Sequence, residues 1–379
     1  MFQKILFLLK ILLLKINKEN NPMTYIPYEQ RCIELSPSGT CFIWPYCNKK
    51  RESSKLELIL DNNALVRAND WLKDIQNINN RRRVQLHETD YFGINVSLYL
   101  AFVEQYLSNK NYAADIVSRT DLFIKPFKDL GIPFADDFSS DIDKLLTNNE
   151  KQIRTDWMMS YLYVVLLYRI TFAKKEDKKP FELLRQLKNK NVPCFSSLIM
   201  LCCLAEFLNK NQNIKMINDD KPAYSYVSNF MSTKSSQKGE NSLAEEYFRN
   251  RAGDLSFWLA IPKLLQHNYQ PMGELMIVTN DKALKKLIFR CFPFVWQDDK
   301  KMRVSFDKNS FDENSSEKII SLIDENLWEF TPPSSDEEKV IRLTNLKNHV
   351  LDGMDNNVKQ EIEKVWKEWL INGIGSSYQ

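Results

Sequence analysis

Two aspartates in this chain end short apolar runs and stand directly before stretches with helical spacing. Asp61 follows LELIL at 56–60, and Asp281 follows ELMIVT at 274–279 after one asparagine. In an open parallel sheet the carboxyl ends of the strands line one edge, where ligands bind. Two aspartates at two such ends therefore meet, although they lie far apart in the chain. Converging carboxylates repel each other unless a cation binds between them, and oxygen ligands favour Mg²⁺ or Mn²⁺. Either aspartate alone would read as an ordinary helix cap. Asn62, Thr279 and Asn280 adjoin the pair and can position ligands or phosphate by hydrogen bonding, though Thr279 also reads as a plain strand-end residue. Lys282, Lys285 and Lys286 follow Asp281 directly and are candidate substrate contacts.

Other reactive residues carry weaker signals. Arg81, Arg82 and Arg83 are able to contact phosphates, against the plainer reading of a solvated loop. His87 and Glu88 are adjacent but lack a partner motif and read as surface loop. The seven cysteines form no C-x-x-C pair and the chain has three histidines, which argues against structural zinc and against a Cys–His nucleophile. The odd cysteine count fits a reducing compartment, hence a cytoplasmic expectation. Cys202 and Cys203, in an apolar run, read as buried thiols, and Trp258 and Trp296 as core.

The elements that must carry these residues alternate. Strands are expected at 56–60, 94–97, 274–279 and 303–306, the last as RVSF. Helical spacing covers 63–78, 98–107, 155–172, 181–189 and 195–208. A further helix starts near Leu243, breaks near Gly253 and resumes as DLSFWLAIPKLLQ. Amphipathic helices follow at 315–330, 335–351 and 357–371. Residues 24–55 show no clear period, and 213–241, rich in Ser, Lys and Asn, reads as a mobile loop. Alternating strands and helices predict an α/β fold with parallel strands.

LELILDNNALVRA is similar to the opening motif of PIN-domain nucleases, an apolar strand followed by D-x-N-x-L, and IVTNDKALKKL resembles their closing motif. INVSLYLAFVEQYL looks like the intervening strand, serine and glutamate-bearing helix, which places the second acid on Glu104. AGDLSFWLAI is similar to the segment that begins a helix with the third acid, which places that role on Asp254. Glu206, in SSLIMLCCLAEFL, is the rival for the second acid. The stretch from Glu104 to Asp254 is longer than a compact PIN domain needs and has to hold a helical insertion.

The resemblance implies a three-layer PIN-like parallel sheet over 55–310 with a large helical insertion at about 111–242. An N-terminal extension, 1–54, precedes it and a C-terminal helical region, 311–379, follows. It further implies a metal-dependent ribonuclease. Asp61, Glu104, Asp254 and Asp281 would hold Mg or Mn, and RNA would be preferred to DNA as substrate. Such an activity needs restraint by a regulatory protein partner or inhibitor and fits toxin–antitoxin or phage-defence settings; a homo-oligomer is compatible with it. The rival from another class is a non-catalytic interaction or regulatory protein that keeps the fold without the metal site.

Composition sets bounds on both. Lys plus Arg number 52 against 49 acidic residues, so nucleic-acid contact must come from local clusters. Nine glycines disfavour a Gly-rich phosphate loop. The opening run MFQKILFLLKILLLKI is broken by Lys10 and Lys15 and is too short to span a bilayer. An amphipathic surface helix and a stretch upstream of a start at Met23 both remain open for it.

Overall fold

The computed structural model describes residues 25–48, 55–82, 94–129, 132–174, 176–232, 248–266, 269–296, 302–329 and 331–372. The chain forms two compact units. One comprises 1–147 and 259–305, the other 148–258 and 306–379.

The first unit is built on a five-stranded mixed sheet. Its strands are β1 (Cys32–Glu34), β2 (Cys41–Ile43), β3 (Leu56–Leu60), β4 (Ile94–Ser97) and β5 (Glu274–Thr279). They stand in the order β1-β2-β5-β3-β4. The expected neighbours β5, β3 and β4 are adjacent and parallel, with Leu60 opposite Val278 and Ile59 opposite Ser97. β3 is central, so all five of its residues are buried. Its leucines and isoleucine each contribute about 1.5–3 kcal/mol by leaving water. Glu57 survives in this strand because Tyr269 donates its hydroxyl to Oε1 and the Met272 N–H donates to Oε2 at 2.8 Å.

β1 and β2 form an antiparallel hairpin that extends the sheet past β5, with Cys41 opposite Thr279. The region 24–55, without period in the sequence, thus contributes two strands. They are three residues long, and β2 is buried throughout, so no alternation exists to read. Gly39, at φ 69°, turns the hairpin. RVSF contributes not to the main sheet but to β7 (Met302–Val304), paired with β6 (Phe294–Trp296) in a separate two-stranded sheet.

The second unit is helical among its described residues. The helix Glu150–Thr171 is buried over most of its surface from Trp157 onward. It packs against Ser196–Lys210, Asp336–Leu351 and Asn356–Asn372. Residues 148–258 and 306–379 make up this unit, while the helices Lys110–Ala114 and Ile116–Lys128 belong to the first. Residues 213–232 are not a simple loop, because the helix Tyr224–Phe230 lies within them and buries Val227 and Phe230. The rest of that stretch, the opening run, Arg83, His87 and Glu88 lie outside the described residues. No helix of the described residues is long and apolar enough to cross a membrane.

Candidate active site

Asp61 follows β3 and caps the short helix Asn62–Val66. Its Oδ1 accepts from the Ala64 N–H at 2.6 Å, and its Oδ2 accepts from the Thr279 hydroxyl. The register explains the meeting. Leu60 pairs with Val278, so the next residue on each strand emerges at the same level of the sheet edge.

Thr279 also ties the second aspartate, because its hydroxyl oxygen accepts from the Asp281 N–H at 3.0 Å. Asp281 Oδ1 accepts from the N–H groups of Ala283 and Leu284 at 2.7 and 2.8 Å, a cap on the turn that follows. Its Oδ2 accepts no hydrogen bond from the described residues. Thr279 thus links the Asp61 carboxylate to the Asp281 backbone, and the charge of Asp281 acts on Asp61.

Burial at 2% exposure raises the Asp61 carboxyl to about 7, and the charge of Asp281 pushes the same way. Hydrogen bonds from Thr279 and from the N–H groups of Ala64 and Asn280 oppose the rise without cancelling it. Desolvation wins because three donors cannot replace bulk water around a buried anion.

Glu104 sits on the helix Tyr99–Ser108 and is buried. Its Oε1 accepts from Asn62 Nδ2 at 3.1 Å, and Gln105 Nε2 donates to Asn62 Oδ1 at 2.5 Å. Asn62, next to Asp61, thus carries Glu104 to the edge of the pair. Gln105 has only a faint signal in the sequence, its place beside a candidate acid on a helix that follows a strand.

The other candidates lie on other elements. Asp254 belongs to the helical unit. It lies in mid-helix, because Phe248–Gln266 runs unbroken through Gly253 and does not restart at Asp254. The glycine costs about 1 kcal/mol there, and burial of Ala252, Leu255 and Trp258 outweighs it. Asp254 pairs with Arg251 at 3.0 Å. Glu206 is also in the helical unit, fully buried, with Arg185 and Lys210 each 2.6 Å from Oε1. That is a structural ion pair.

Lys285 is turned inward, against the expectation of a substrate contact. It is 4% exposed, lies 2.9 Å from Glu34 and donates to the Gly39 carbonyl. Asn280 holds the same hairpin, accepting from the Thr40 hydroxyl at 2.8 Å and donating to the Ser38 carbonyl at 3.2 Å. Lys282 is exposed and keeps the expected position beside Asp281. Arg81 and Arg82 end the helix Ala68–Arg82 instead of lying in a loop. Trp258 is core, as expected, and Trp296 is half-buried against Tyr46.

Among the described residues, no three His, Cys, Asp or Glu side chains gather closely enough to share one metal ion. The donor set at the sheet edge is two carboxylates, with Glu104 beside them. A magnesium-sized ion is commonly held by one or two carboxylates, its remaining positions taken by water and substrate phosphate. Oxygen donors on two aspartates, one of them buried so that its charged form is disfavoured, fit that chemistry.

No family model, no curated protein and no solved structure matches this chain.

Proposed function

We propose that the α/β unit is a metal-dependent nuclease acting on RNA, with its centre at Asp61 and Asp281. The observation that carries this reading is that Asp61 and Asp281 follow the carboxyl ends of adjacent parallel strands, where Thr279 bonds the Asp61 carboxylate and the Asp281 backbone N–H. Such an edge is where open α/β sheets bind ligands. A buried carboxyl raised to about 7 beside a second carboxylate gains from a cation that replaces its proton. Mg²⁺ or Mn²⁺, when bound, supplies an activated water and stabilises the charge that develops on a phosphodiester.

The chain's own residues then have separate tasks. Asp61 and Asp281 hold the ion, and Thr279 fixes the orientation of the Asp61 carboxylate. Asn62 fixes Glu104, which would hydrogen-bond to ion-bound water. Lys282, exposed beside Asp281, meets a substrate phosphate. The motifs around Asp61, Glu104 and Asp281 that resemble those of PIN-domain nucleases support the same reading. Glu104 is favoured over Glu206 as second acid because Asn62 links it to Asp61. In this reading restraint by a protein partner or inhibitor is expected, and defence or toxin roles remain open to it.

A second reading has its own observation. Two carboxylates that both serve as helix caps suit an interaction or regulatory protein with a PIN-like fold and no chemistry. Cleavage of single-stranded and structured RNA and DNA, with Mn²⁺ and with chelator, separates the two. The nuclease reading expects Mn²⁺-dependent cutting that falls by orders of magnitude in Asp61→Asn and in Asp281→Asn while both variants stay folded. Equal behaviour of wild type and both variants transfers the function to the second reading.

A further inference from the structure

The hairpin beside β5 carries two cysteines. Cys32 pairs with Ile43 across the hairpin, and Glu34 pairs with Cys41. Directly opposed residues of an antiparallel ladder share a face, as do residues two apart on one strand. Cys32, Glu34, Cys41 and Ile43 therefore share one face, with the two sulfurs on diagonal neighbours. Cys41 is buried, while Cys32 is partly open to solvent. Two cations flank the pair. Lys285 lies 2.9 Å and Lys286 3.2 Å from the carboxylate of Glu34, on that same face. The described cysteines are all free thiols.

We infer that Cys32 and Cys41 form a reversible modification site, in which a hydroperoxide oxidises Cys32 and Cys41 closes a disulfide across the hairpin. In the first step the Cys32 thiolate attacks the distal peroxide oxygen. The O–O bond breaks and an alcohol or water leaves, so the peroxide is reduced and Cys32 becomes a sulfenic acid. In the second step the Cys41 sulfur attacks the Cys32 sulfur and the S–O bond breaks. Water leaves with the sulfenic hydroxyl and the Cys41 proton, and a dithiol reverses the reaction by two electrons.

Exposure and charge divide the two roles. The partly open Cys32 meets the oxidant, and Lys286 favours its thiolate while Glu34 opposes it. Cys41 is shielded and acts only on the neighbouring sulfur. Cys41 first, then Tyr28 and Lys286, hold the Cys32 thiol below its ordinary range despite burial. Cys41 is pushed upward, first by Cys32 and then by burial. Once Cys32 is oxidised, the first of those causes disappears. A bridge between diagonal positions draws the strands from their relaxed spacing, which makes it readily reducible. This inference is independent of the nuclease reading.

The test uses the full chain, folded, treated with hydrogen peroxide, blocked with N-ethylmaleimide and digested without reduction. The expected result is loss of two alkylatable thiols of the seven, with a Cys32–Cys41 peptide lighter by two hydrogens than the two thiol peptides and restored by dithiothreitol. In Cys41→Ser, a dimedone adduct should appear on Cys32, and in Cys32→Ser, Cys41 should remain a thiol. Bridging elsewhere in wild type, or retention of both thiols while Cys194, the other partly exposed cysteine, is oxidised, overturns the inference. Because the wild-type chain alone distinguishes these outcomes, a variant that fails to fold does not blunt the test.

Discussion

Thr279 donates its hydroxyl to Oδ2 of Asp61, a residue 218 positions earlier in the chain, and the same oxygen accepts from the backbone of Asp281. One side chain thus joins two strand ends, and its geometry depends on the Leu60–Val278 register of the parallel pair. A slip of one residue would turn Thr279 to the other face. The site is therefore as stable as that pairing.

The buried Asp61 makes stability depend on pH. Its carboxyl titrates at about 7 in the folded chain, against an ordinary value of about 3.9. The folded state therefore binds a proton that the unfolded state has already lost between those limits. Stability from this group is fully present below about pH 4 and falls as pH rises to about 7. The loss levels off above that, on the order of 4 kcal/mol. Asp61→Asn abolishes that dependence. Chemical denaturation of wild type and variant at pH 5 and pH 8, both with chelator, checks it; parallel pH profiles would refute the assignment.

Gly273 lets β5 start against β3. A Cβ there would stand 2.6 Å from the Leu56 nitrogen and 2.6 Å from the Lys55 carbonyl carbon. Backbone atoms of a central strand have little room to retreat. Gly273→Ala should cost about 1–3 kcal/mol, toward the upper end. It should also weaken the site, because Thr279 ends the displaced strand. Urea midpoints measure the first effect and Mn²⁺ titration the second. A variant as stable as wild type would mean that the two strands approach less closely.

Glu206 offers a contrast with the acids at the sheet edge. Its side chain is fully buried, whereas Arg185 and Lys210 are roughly half exposed, at 43% and 50%. Removing both cations leaves a buried carboxylate without its partners, which costs about 3–5 kcal/mol. Glu206→Leu removes the charge itself and lets the cations return to water, so it should cost far less. Thermal melts of Glu206→Leu and of Arg185→Met with Lys210→Met compare the two. Nuclease activity, where present, should survive Glu206→Gln; a collapse of activity without loss of fold would return Glu206 to the site.

Much of this arrangement was legible in the residues. The abrupt change from LELIL to Asp61, and from MIVT to Asp281, carries both the strand ends and the carboxylate pair. What was illegible depends on contacts distant in sequence. Cys41, Phe42 and Ile43 form a three-residue strand buried on both faces, so their place beside β5 has no local signature. Lys285 follows the site in sequence, yet the turn after Asp281 aims it at Glu34 and Gly39. Asp254 matches a motif, but its helix does not begin there. Proximity in sequence is a poor guide wherever a helix turn or a crossover decides direction.

The last prediction separates a metal ligand from a cap at Asp281. Its Oδ1 caps the following turn, and Oδ2 accepts no hydrogen bond from the described residues. Asparagine keeps a capping oxygen and removes the charge. As a cap alone, Asp281→Asn should cost about 1 kcal/mol or less, with no response to metal. As a ligand, it should instead abolish stabilisation by Mn²⁺, which for wild type reaches about 2.7 kcal/mol at one hundred times the dissociation constant. A second consequence follows from charge. Without the Asp281 carboxylate, Asp61 loses a neighbour that disfavours its ionised form. In chelator the variant should therefore be at least as stable as wild type near pH 7, the gain offsetting any capping loss. Thermal melting with Mn²⁺ and with chelator, for wild type, Asp61→Asn and Asp281→Asn, reads both effects. A wild type that melts identically in the two buffers would remove the metal site, and with it the nuclease reading.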